Sequence, residues 1–240
     1  MNKESLVATN REMSASGVKT PELEKRPSIG TVLVIVAIDR NKNGENAQDP
    51  KIWTILEKKS KNYTDKQAGQ ISLPADTRKD GEDILSNMLG TLPEFSNDNA
   101  LIRSLVLMPS SYVKGRLTVK GGPVDLAVLI LGSSSNEQII PLDEDEVSPN
   151  GWMSLKDLRK EREINPSHLR GILAQTVDLE RSDNIIYNVV EDYFNDPGKR
   201  VSISTFLSSE TSLSELFKQR ERLPDVIGSS GIIYEPVGAK

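Results

Sequence analysis

Ile29 to Ile38, IGTVLVIVAI, is the longest apolar run in the chain. A continuous β-branched run of that length predicts a central strand buried on both faces. The polar stretch DRNKNGENAQDP, Asp39 to Pro50, is rich in turn formers, and Lys51 to Glu57, KIWTILE, alternates as the returning strand of a hairpin. Gln70 to Leu73 reads as a further strand. The Asp80-Gly81 turn then leads to a helix starting near Glu82, with apolar positions at Ile84, Leu85, Met88, Leu89 and Leu92. Pro93 lacks an N–H and collides with the carbonyl four residues back, so this helix is expected to stop near Leu92.

Leu101 to Met108 and Val124 to Leu131 read as core strands. Ser167, after Pro166, predicts the cap of a helix reaching Leu179, with Leu169, Ile172, Leu173, Thr176 and Val177 on its apolar side. Asn184 to Phe194 has the spacing of an amphipathic helix and ends at Asp196-Pro197-Gly198. Val201 to Leu207 is expected to be extended, Thr211 to Arg220 a short helix, and Gly228 to Lys240 extended and loosely held. Residues 1–27 are polar and aperiodic, which predicts a flexible N-terminal arm. The expected organisation is that arm, a domain over 28–195, and a C-terminal extension over 196–240.

Composition narrows the chemistry. The chain has 240 residues and no cysteine, so disulfides, thiolate metal sites and thiol catalysis are excluded. A net charge of −5 argues against broad nucleic-acid binding, which depends on neutralising phosphates. Aromatic residues make up only 5% of the chain, which weakens any base-stacking surface. No run approaches a membrane span and the N-terminus lacks a secretory apolar core, so a soluble, cytoplasmic protein with no membrane partner is expected. His168, the one histidine, has no nucleophile or partner at a recognisable spacing and reads as a surface residue. No Walker loop, zinc pattern, dinucleotide fingerprint or internal repeat is present.

The segment from Gly69 to Asn97, GQISLPADTRKDGEDILSNMLGTLPEFSN, resembles the signature box of the Nudix superfamily. In that box a Leu-Pro-Gly-Gly turn leads to Gly-Glu, and then to a helix carrying Arg-Glu and Glu-Glu pairs. Leu73 and Pro74 match, with Ala75 and Asp76 at the glycine positions and Glu82 at the first glutamate. Gly90 and Thr91 fall on the Arg-Glu pair, Leu92 on the apolar position, Glu94 and Phe95 on the Glu-Glu pair, and Asn97 on the final glycine. A second stretch, Pro141 to Leu158, resembles the family's acidic turn, Trp-containing strand and short helix through Glu146, Val147, Trp152 and Leu155 to Leu158.

The resemblance implies an α/β (α+β) fold, a Nudix-like mixed sheet sandwiched between helices, and a nucleotide or diphosphate-bearing ligand with Mg2+ as cofactor. Metal would fall to Glu82, Glu94 and Glu146, with Glu82 and Glu94 the catalytic candidates, and ligand phosphates to Lys58, Lys59, Lys61 and Arg78. Mg2+ takes near-octahedral oxygen ligands, and a helix face presenting Thr91, Glu94 and Phe95 supplies one carboxylate. As bland alternatives, Glu82 suits a helix N-terminus, Lys58 to Lys66 a solvated loop, and Asp143 to Glu146 a repelling acidic loop. Three readings stay open: a ligand-binding domain with hydrolysis weak or lost, an active Mg2+-dependent pyrophosphohydrolase, and a structural or regulatory subunit. The last would meet a protein partner through the N-terminal arm or the C-terminal extension.

Overall fold

β1 (Gly30–Ala37) is buried along its whole length and has strands on both sides, as its unbroken apolar run requires. The computed structural model describes residues 28–38, 49–58, 68–80, 82, 84–119, 122–132, 139–141, 147–177 and 184–208. β2 (Lys51–Glu57) returns antiparallel to the end of β1, pairing Val36 with Ile52. β3 (Ile71–Ser72) lies outside β2, and β4 (Ala75–Thr77) folds back onto the start of β1. β5 (Val106–Leu107), β6 (Tyr112–Val119) and β7 (Gly122–Leu131) follow, and β7 runs parallel to β1 from Thr31/Asp125 to Ala37/Leu131. β8 (Val147–Ser154) pairs with β2, and β9 (Val201–Ser202) caps the β5 edge. The main path is β3-β2-β1-β7-β5-β9, a mixed sheet with one parallel pair among antiparallel neighbours.

Alternation along the central strands divides the core in two. Val32, Val34 and Val36 share one face with Leu126, Val128 and Ile130. That face is covered by α3 (Leu155–Ile164), α4 (Gly171–Val177) and α5 (Ile185–Asn195) through Leu158, Leu173, Val177, Ile186 and Val189. On the other face, Leu33, Ile35, Ala127 and Leu129 pack against Met88, Leu92 and Phe95 of α1 (Ile84–Phe95). α2 (Asn99–Ser104) and α6 (Ile203–Ser208) flank that side. The sheet is therefore sandwiched between helices, with the box helix at the centre of one face and α2 and α6 beside it.

Four sequence expectations are corrected. α1 begins at Ile84 and runs through Pro93 to Phe95 instead of stopping at Leu92. A proline inside a helix costs ~3 kcal/mol. Here it sits in the last turn, where burial of Leu92 and Phe95, worth about 1.5–3 kcal/mol each, outweighs it. Leu101 to Met108 is not one strand. Asp98 accepts from the amides of Ala100 (2.8 Å) and Leu101 (3.2 Å), capping α2, and only Val106–Leu107 pair.

Ser167 does not start a helix. Pro166–His168 form a 3-10 turn, Leu169 bridges Ile71, and the Arg170 amide donates to the Ile71 carbonyl (2.8 Å). Pairing with the β3 edge delays α4 to Gly171. Val201 to Leu207 divides into β9 and α6, with the Ile203 amide donating to the Leu105 carbonyl (2.8 Å). The expectations for residues 1–27, 211–220 and 228–240 lie outside the described residues.

Candidate functional site

The box segment is tied to the sheet before it reaches the helix. Leu73 is fully buried, and the Leu33 amide donates to the Pro74 carbonyl (2.8 Å). Ala75 and Asp76, at the two glycine positions of the resemblance, are strand residues paired with Val32 and Thr31. β-ladder geometry thus replaces the free turn that two glycines would permit. Beyond β4, the Arg78 amide donates to the Ile29 carbonyl (2.8 Å), which carries the chain to Glu82 and α1.

Each surviving box carboxylate has structural work. Glu82 Oε2 accepts from the Lys79 amide (2.9 Å) and from Asn87 Nδ2 (3.4 Å), closing the turn that enters α1. Glu94 lies on the helix after all, and its Oε2 accepts from the Ala75 amide (2.9 Å), clipping α1 to β4. Thr91 and Phe95 flank it, both fully buried. The Thr91 hydroxyl donates to the Asn87 carbonyl (2.9 Å), and the Phe95 ring meets Trp53 edge-on with centroids 6.1 Å apart. The face that would carry metal ligands is thus turned into the core.

A Mg2+ site needs several converging oxygen donors that water can also reach. A buried hydroxyl already committed to the backbone, a phenyl ring and one engaged carboxylate do not fit it. Among the described residues, no group of three or more Asp, Glu or His side chains is placed to hold a metal. Glu146 and the rest of the acidic run lie outside the described residues.

A different charged cluster lies on the same side of the sheet. Asp125, in the apolar strand β7, is fully buried and accepts from Arg78 Nη2 (2.8 Å), the Gly115 amide (2.7 Å) and the Tyr112 hydroxyl. These donors satisfy a carboxylate that would otherwise be costly to bury. Burial pushes the Tyr112 phenol up, and the adjacent Asp125 carboxylate pushes it further. Burial pulls the Arg78 guanidinium down, but Asp125 and Tyr112 together outweigh it and the net direction is upward.

Arg78, expected to hold ligand phosphates, is thus ion-paired inside the protein with 20% of its side chain exposed. Sequence reasoning missed Asp125 and Tyr112. The available signal was an acid inside the run GPVDLAVLIL, since a lone charge in a buried strand needs partners.

Lys58 follows β2 half-buried and already has a partner, whereas Lys59 and Lys61 lie outside the described residues. His168 is exposed, as expected, and its Nδ1 lies 2.7 Å from Glu161 Oε1. Asn165 first, then His168, hold the Glu161 carboxyl below its usual range.

No family model matches the chain, and no curated protein does. Solved structures do. The NUDIX domain of Shewanella oneidensis NrtR, complexed with ADP ribose, is 15% identical over 67% of this chain and 88% of its own, with a TM-score of 0.38. The Nudix hydrolase RenU from M. Smegmatis is 11% identical over 71% of this chain and 88% of its own, with a TM-score of 0.40. A C. elegans Ap4A hydrolase binary complex is 16% identical over 61% and 92%, with a TM-score of 0.37. At these identities and scores the likeness to Nudix structures is one of fold and carries nothing about chemistry.

Proposed function

We propose that the chain is a Nudix-like domain that binds a nucleotide or another diphosphate-bearing small molecule without metal-dependent hydrolysis of it. One observation carries the loss of hydrolysis: Thr91 and Phe95, at two of the three helix carboxylate positions, are fully buried in the core. Metal-assisted attack of water on phosphorus needs a cation held beside the diphosphate and open to water. The remaining carboxylates, Glu82 and Glu94, each accept from a backbone amide through Oε2, which holds one in the turn before α1 and the other against β4. The ligand half of the reading rests on the resemblance of the GQISLP box entrance and on the Lys-rich stretch from Lys58.

The test is a calorimetric titration with Mg2+ or Mn2+, with and without ADP-ribose, run beside a phosphate-release assay. Ligand binding without turnover is the expected outcome. Metal-dependent turnover that disappears in Glu82→Gln overturns it in favour of a working pyrophosphohydrolase. An absence of both binding and turnover transfers the chain to the structural or regulatory reading, with contacts made by the arm or the extension.

A further inference from the structure

Among the described residues, Thr31 Oγ1, Arg78 Nε and Asn87 Oδ1 are buried without a hydrogen-bond partner, and all three belong to the α1 side of the sheet. Thr31 stands between Asp76 and Asp125 in the ladder, paired with one on each side. Arg78 reaches the same spot, because its Nη2 is bonded to Asp125 (2.8 Å). Asn87 lies one turn before Gly90 on α1, and a Cβ built at Gly90 would come within 3.0 Å of Asp76 Oδ2. Helix and sheet therefore place the three side chains in the same layer, between α1 and the β4-β1-β7 ladder. Thr31 and Asn87 are fully buried, and leaving such groups unsatisfied is costly.

Their chemistry specifies what fits. Arg78 Nε–H can only donate, Asn87 Oδ1 can only accept, and the Thr31 hydroxyl can do either. A cation would face the Arg78 Nε–H proton, and an anion would face the Asn87 oxygen and the neighbouring Asp76 and Asp125 carboxylates. An oxygen that both accepts and donates satisfies all three. At the rim, Gly90 is exposed and carries no side chain, and Asp76 beside it is half-buried. A carboxylate rim accepts from hydroxyls and repels phosphates.

We infer that Thr31, Arg78 and Asn87 form a subsite for one hydroxyl oxygen, supplied by an interior water or by a sugar hydroxyl of a ligand entering past Gly90. The sugar form rests on the ligand reading proposed above and assigns its ribose, not its phosphates, to this part of the box. The water form does not depend on that reading.

Thr31→Val, with Thr31→Ser as a control that keeps the hydroxyl, tests the subsite in the full-length chain. Thermal unfolding is read first. If an oxygen is bound, Thr31→Val loses its hydrogen bond and lowers Tm by about 2–4 °C, and Thr31→Ser changes it less. If the hydroxyl is an orphan, Thr31→Val raises Tm, and that result overturns the subsite. Titrations with ribose 5-phosphate, ADP-ribose and inorganic pyrophosphate then identify the source. About a tenfold loss of affinity for the two sugar ligands in Thr31→Val, with pyrophosphate unaffected, assigns the oxygen to the sugar. A lowered Tm with unchanged or absent sugar binding assigns it to water, and it does so even if the ligand reading itself fails.

Discussion

Asp125 is the residue on which the polar side of the box depends, since it is fully buried and collects the Arg78, Tyr112 and Gly115 donors. Removing it leaves a mostly buried guanidinium and a phenol without their acceptor. Breaking one side of a buried pair typically costs about 3–5 kcal/mol. Asp125→Ala is expected to lose about that much in urea unfolding, and a loss under ~1 kcal/mol would refute the assignment. Tyr112 gives the matching pH dependence. Its phenol is raised from an ordinary value of 10.0, so the folded state prefers the protonated form. That contribution is fully present below pH 10 and is lost as pH rises towards the folded value. Stability should therefore fall by about 1.4 kcal/mol per pH unit as pH rises above 10. Tyr112→Phe should flatten this alkaline slope, as measured by unfolding at a series of pH values.

At the level of elements, the box helix is a core helix first. Phe95 packs on Trp53 and sits in the apolar cluster with Met88 and Leu92. Restoring the carboxylate that the resemblance places there, by Phe95→Glu, would bury a charge among those side chains. It is expected to unfold the domain or cost several kcal/mol without creating Mg2+ affinity, whereas Phe95→Ala should cost about 3–5 kcal/mol by chemical denaturation. A folded Phe95→Glu protein that binds Mg2+ would show instead that the helix can rotate its face outward. The same helix marks how far the sequence could be read. Its apolar spacing at Met88, Leu89 and Leu92 placed it correctly, because period 3.6 survives any tertiary context. Its end was misjudged, because the local penalty of Pro93 was visible while the compensating burial of Phe95 was not. α2 was missed for the converse reason: the Asp98 cap is a local signal, but the apolar residues of Leu101 to Met108 concealed it. The long central strands were legible because burial on both faces leaves nearly unbroken apolar runs, interrupted only by single polar residues such as Thr31 and Asp125. The Asp125 partners were not, because Arg78, Tyr112 and Asp125 meet only through the register of β1, β4, β6 and β7.

For the molecule as a whole, the question is whether its stability senses a divalent cation. A ligand that binds only the folded state adds RT ln(1 + [L]/Kd), about 2.7 kcal/mol at a free concentration near 100 times Kd. For a domain of this size that is a Tm rise of about 5–11 °C. The amide bonds at Glu82 and Glu94 Oε2 fix those carboxylates against the Lys79 turn and β4, which limits how far they can turn toward a shared metal. The neighbouring positions, Thr91 and Phe95, are fully buried and add no carboxylate ligand. Thermal scans in millimolar Mg2+ and in EDTA should therefore coincide to within ~1 °C. A rise of several degrees that vanishes in Glu82→Gln or Glu94→Gln would mean that the clips open and the box still gathers metal. A rise that survives both but vanishes in Glu146→Gln would place the cation on the acidic run before β8. In that case α1 would remain a structural helix, and any chemistry of the domain would have to be sought at the β8 end of the sheet.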